Sequence, residues 1–124
     1  MEKDNKLMDL LKRADLPELE YRVAECWDIE DQKRSGLSDL EYLIREAEWV
    51  LEDFTEDTGH FLHDAYIDAK YLIKRTKDGK RRPIDISTMS VMAGFRDADI
   101  QRARNLLSEV RRTRAFIRKL RSML

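Results

Sequence analysis

The chain has 124 residues, 42% hydrophobic and 40% charged, with 24 Lys and Arg against 25 Asp and Glu for a net charge of −1. That length and apolar fraction describe one folded domain spanning 1–124, too apolar for a disordered polymer and too short for two independent cores. Cys26 is the single cysteine, which excludes an internal disulfide; no apolar run approaches the roughly 18 residues of a membrane span, and Met1-Glu2-Lys3-Asp4 lacks the basic-then-apolar order of a secretory signal, so a cytoplasmic protein without membrane contact is expected.

Two prolines and four glycines leave long stretches with nothing to break a helix, and apolar positions recur at three- and four-residue steps, predicting an all-α bundle of four to five helices. Leu7, Leu10, Leu11 and Ala14 share one face of a first short helix that needs tertiary packing to persist. Asp15 and Glu18 have capping-box spacing with Pro17 in the first turn, predicting a second helix whose buried stripe is Leu16, Leu19, Val23, Cys26 and Trp27 and which ends at Gly36. Ser38 and Glu41 repeat the capping box, and Leu40, Leu43, Ile44, Ala47, Val50, Leu51 and Phe54 follow the helical pattern after it. Thr55 to Gly59 breaks that helix. A fourth carries Phe61, Leu62, Ala65, Ala69, Leu72 and Ile73 up to the Asp78-Gly79 turn signal. Residues 77–87, with three consecutive bases and Pro83, read as an exposed basic loop, and a short helix follows Ser87 and ends at Gly94. The last helix, capped by Asp97, buries Ile100, Ala103, Leu106, Leu107, Val110, Ile117, Leu120 and Leu124. It is the longest, basic to its end, and that end is expected to project or to pair with a second copy as a homodimer.

The near-neutral total hides a segregation, because residues 1–69 carry 20 acids and 8 bases while residues 70–124 carry 16 bases and 5 acids. Asymmetry of this kind points to charged partners. On the last helix Arg104, Arg111, Arg114, Arg118 and Arg121 fall in one sector beside the apolar stripe, with Arg112 and Lys119 on the other flank, and Lys80, Arg81 and Arg82 precede them in the loop. Such a ridge suits bidentate contacts to phosphate. Ser90, Gly94 and Ile100 also stand at the spacing of a helix-turn-helix, with Met89, Ala93, Phe95 and Ala103 as its apolar contacts. Arg96, Gln101, Arg102 and Asn105 would then lie on the outer side of its second helix, and they are base-reading residue types. The leading expectation is a non-enzymatic protein that binds nucleic acid, or a nucleic-acid-handling protein, without a cofactor.

Two further readings belong to the acidic half. Glu52, Asp53, Glu56 and Asp57, with Tyr42, Trp49, Ile67 and Tyr71 off the apolar stripes, would suit a protein-directed inhibitor or adaptor, similar in manner to anti-restriction and anti-CRISPR proteins that occupy a groove built for nucleic acid. Glu25-x-x-Asp28 and Asp53-x-x-Glu56 resemble the carboxylate pairs with which all-α nucleotide pyrophosphohydrolases bind magnesium, although nothing beside them recognises a nucleotide. This keeps a carboxylate-metal hydrolase as a third reading, with His60, His63, Asp64 and Asp68 nearby. The His63-Asp64 doublet is not that of the metal phosphohydrolases, since no histidine precedes His60. No Gly-rich phosphate loop exists, and Cys26 on a buried stripe reads as a packing residue.

Overall fold

A computed structural model describes residues 5–77 and 97–124, with side chains for 5–75 and 98–124. The described residues form an all-α packing of α1 (Asn5–Ala14), α2 (Pro17–Cys26), α3 (Ile29–Ser35), α4 (Asp39–Thr55), α5 (Phe61–Lys77) and α6 (Asp97–Arg121). The loop at 77–87 beyond Lys77, the short helix ending at Gly94, and Lys80, Arg81, Arg82 and Arg96 lie outside the described residues. No helix among the described residues is long and apolar enough to cross a membrane.

α4 is the centre of the packing, against α2, α5 and α6, and α6 also lies along α5. Its stripe is buried as the spacing predicts, with Leu43, Ile44, Ala47, Val50 and Phe54 all in the core. The Ser38 capping box forms in full: Ser38 Oγ accepts from the Glu41 N–H at 3.2 Å and Glu41 Oε1 accepts from the Ser38 N–H at 3.1 Å. Those backbone and hydroxyl donors hold the Glu41 carboxyl below its ordinary range. Leu7 and Leu11 of α1, Leu16, Leu19 and Val23 around α2, Leu62 of α5 and Val110, Phe116, Ile117 and Leu120 of α6 complete the same cluster.

The second helix departs from its expected form at both ends. Asp15 takes a left-handed φ of 53° and closes α1 through its N–H to the Lys12 carbonyl at 3.2 Å, so its side chain does not cap α2. Leu16 occupies the cap position with no side-chain bond. Glu109 of α6 supplies the missing acceptor, its Oε2 taking the Glu18 N–H at 3.0 Å. Farther on, one predicted helix is two, because Asp28 accepts from the Asp31 N–H at 3.1 Å and starts α3. The chain turns at Trp27, and Cys26 faces solvent, correcting its reading as a core residue. Gly36 ends α3 at φ 66°, the left-handed stop its position implies.

The α3 corner explains a further correction. Tyr42 is expected on an outer face, yet it is 1% exposed, because Trp27 lies on its ring at 4.6 Å and its hydroxyl accepts from the Asp28 N–H at 3.2 Å. Buried Gln32 ties the same corner: its amide nitrogen donates to the Leu37 carbonyl at 3.1 Å and Asp39 at 2.7 Å, and its oxygen accepts from the Trp27 indole at 2.8 Å. At the other end of α4, Phe61 is 69% exposed rather than part of the α5 stripe; His60 stacks on it at 4.7 Å. The end of α6 does not project. Leu120 is fully buried, and the four residues beyond it, Arg121 to Leu124, are exposed, which corrects Leu124 as a member of the buried stripe.

Candidate nucleic-acid interface

At about 1.5 Å per residue the 25 residues of α6 extend about 37 Å. Its inner side carries Ala103, Val110, Thr113, Phe116, Ile117 and Leu120, and the Thr113 hydroxyl is satisfied within the core by donating to the Glu109 carbonyl at 2.8 Å. This burial fixes which side faces out. Arg104, Arg111 and Arg118, at i, i+7 and i+14, are exposed along that outer side, and Arg114 is exposed beside them. Among the described residues none of these four lies within 4.0 Å of a carboxylate.

The rest of the sector is partly engaged. Arg121 donates to Glu48 of α4 at 2.8 Å. Arg114, Arg118 and Arg121 form one wall of a groove of about 370 Å³ whose other wall is Glu48, Glu52 and Glu56, with Leu51 and Ile117 between. The basic ridge therefore has an acidic neighbour along one edge. Its centre line of Arg104, Arg111 and Arg118 does not share that compensation, except where Arg118 meets the groove.

The base-reading group takes another direction. Arg102 and Asn105 line a recess of about 430 Å³ with Asp15, Glu18, Glu109 and Arg112 at the α1–α2 corner, away from the groove that Arg114 and Arg118 line. Arg102 lies 3.5 Å from Asp99, and the Gln101 amide donates to Asn105 at 2.8 Å. Ile100 is half-buried and Ala103 buried, while Ser90 and Gly94 of the helix-turn-helix spacing are outside the described residues. Within the recess, burial pushes the Glu109 carboxyl above its ordinary value, against the lowering effect of the Glu18 N–H. Arg112 donates to the Asp15 carbonyl at 2.8 Å and to Ser108 at 3.0 Å. Sequence spacing does not reveal the corner contacts of Glu109 and Arg112, because Glu18 lies 91 positions from the first and Asp15 97 from the second.

Much of the acidic half is used internally. Glu46 is 2% exposed and takes Arg22, which also reaches Asp53 at 3.5 Å; Asp53 is 3.7 Å from His60 Nε2. Trp49 is 41% exposed, with the guanidinium groups of Arg22 and Arg45 at 5.2 Å and 4.8 Å from its ring centre. Of the proposed protein-contact residues, Glu52, Glu56, Asp57, Ile67 and Tyr71 are exposed, Asp53 is tied to Arg22 and Tyr42 is covered. Asp64 and Asp68 are exposed, and His60 Nδ1 accepts from the Leu62 N–H at 3.1 Å at the start of α5. Among the described residues no group of three or more His, Cys, Asp or Glu is placed to hold a metal ion.

Compared with known protein families, curated proteins and solved structures, the chain matches none.

Proposed function

We propose that the protein is a non-enzymatic helical binding module that contacts nucleic-acid phosphate through the outer side of α6. The observation carrying this reading is the line Arg104, Arg111 and Arg118, exposed and without a carboxylate within 4.0 Å among the described residues. Fourteen residues of helix separate its ends, about 21 Å, a span that crosses several phosphates of a duplex. Planar guanidinium groups favour paired hydrogen bonds to phosphate oxygens. Contacts of this kind position a protein on nucleic acid without reading sequence.

Fluorescence anisotropy with duplex DNA and duplex RNA of random sequence tests it. Binding by the full chain at about 50 mM salt, lost in Arg111→Glu/Arg118→Glu with helicity retained, is the expected result. Absence of binding by the unaltered chain at that salt removes the reading.

A second reading has its own observation, the large apolar side chains Ile67 and Tyr71 standing 46% and 57% exposed one turn apart on α5. Exposed aromatic residues are anchors for protein partners, and Glu52, Glu56 and Asp57 would supply charge for an inhibitor or adaptor of nucleic-acid machinery. Under this reading Tyr71→Ala and Glu52→Lys/Glu56→Lys abolish association with a purified partner and leave DNA binding intact.

A further inference from the structure

α1 and α6 leave a groove of about 350 Å³ between them, lined by Leu10, Arg13 and Ala14 of one and Arg112, Ala115, Phe116 and Lys119 of the other. Each helix contributes one face, at i, i+3, i+4 on α1 and at i, i+3, i+4, i+7 on α6. The floor is apolar, and Ala14 and Ala115 keep it low enough for a helix backbone to approach. The rim is uniformly basic. Among the described residues no carboxylate lines the groove, and none of Arg13, Arg112 and Lys119 lies within 4.0 Å of one. Arg112 is held in place by the Asp15 carbonyl and Ser108 Oγ and also acts on the Glu109 carboxylate of the neighbouring recess, so the charge the rim offers a partner rests chiefly on Arg13 and Lys119.

Two adjacent helices that turn matching stripes toward one trough form two-thirds of a three-helix packing. Phosphate gains nothing from an apolar floor, whereas a helix with an apolar stripe between carboxylates matches both the floor and the rim. From this shape and charge we propose that the α1–α6 groove receives an acidic amphipathic α-helix of a partner protein. The Arg112–Lys119 stretch runs about 10 Å, which sets the bound segment at about two to three turns. The site is separate from the Arg104, Arg111 and Arg118 line.

The test is fluorescence polarisation of the full chain with a labelled synthetic helix of about 16 residues. The peptide carries leucines at i, i+3, i+4 and i+7 flanked by glutamates, and a control peptide has lysines in place of the glutamates. The glutamate peptide is expected to bind at least about ten-fold more tightly than the lysine peptide, and Arg13→Glu/Lys119→Glu to reverse that order. Ala115→Phe, which fills the trough at an exposed position without changing charge, should weaken the glutamate peptide by about ten-fold while leaving duplex DNA binding within about two-fold. Equal binding of the two peptides overturns the proposal, as does an Ala115→Phe variant that binds the glutamate peptide unchanged or loses DNA and peptide alike.

Discussion

Glu109 shows at the scale of one residue how a long-range contact replaces a local one. With Asp15 committed to a left-handed turn, the first turn of α2 has no side-chain cap of its own, and the half-buried carboxylate of α6 takes the Glu18 N–H instead. Burial raises its pKa from the ordinary 4.5, so the folded state holds the proton more tightly than the unfolded state does. In the interval above 4.5 stability therefore falls as pH rises through the raised value, and the ionised cost remains at neutral pH. Glu109→Gln keeps an oxygen for the Glu18 N–H and removes the ionisation. Urea unfolding should find it at least as stable as the unaltered protein at pH 7, with the difference closing below pH 4.5. Glu109→Ala, which loses the acceptor, should lower stability by about 1 kcal/mol. If Gln costs as much as Ala at neutral pH, the charge and not the acceptor holds the corner. A second residue is separable from the first: Gln32→Leu removes three hydrogen bonds at the α3–α4 corner and should cost about 2 kcal/mol in the same titration.

At the scale of the element, α6 is anchored to its end. Leu120 is fully buried and Leu124 is 73% exposed, so thermal unfolding should separate them. Leu120→Ala is expected to cost about 3 kcal/mol and Leu124→Ala less than about 0.5 kcal/mol. Equal, small effects would mean that the last turns do not pack. The contrast also shows what periodicity conveys. The stripe of α4 is legible because seven positions repeat between two clear stops, the Ser38 box and the break after Thr55. The division of α2 from α3 is not, since the Asp28 cap sits inside spacing that still reads as one helix. Tyr42 follows from that miss: its cover is Trp27, and Trp27 reaches it only because the chain turns there. Along α6 the pattern identifies the inner side through Val110, Ile117 and Leu120 but omits Phe116, which is buried beside the groove shared with Leu10 and Ala14 of α1.

For the whole molecule, the decisive property is how its two charged halves meet. Glu46, Asp53 and Glu48 each hold an arginine, which uses part of the acidic surface within the fold. Only Arg121 of the five-arginine sector makes such a pair among the described residues. The segregation is legible from composition alone, because it needs only counting; which charges neutralise one another is not, because it depends on α4 and α6 lying side by side. The remaining arginines are expected to displace counterions from phosphate. The most direct measurement is the salt dependence of binding to a random duplex between about 50 and 200 mM monovalent salt. Contacts by Arg104, Arg111, Arg114 and Arg118 give a slope of log K against log salt of about −3 to −4, reduced by about 2 in Arg111→Ala/Arg118→Ala. A slope near zero, or one that those substitutions leave unchanged, would contradict the account.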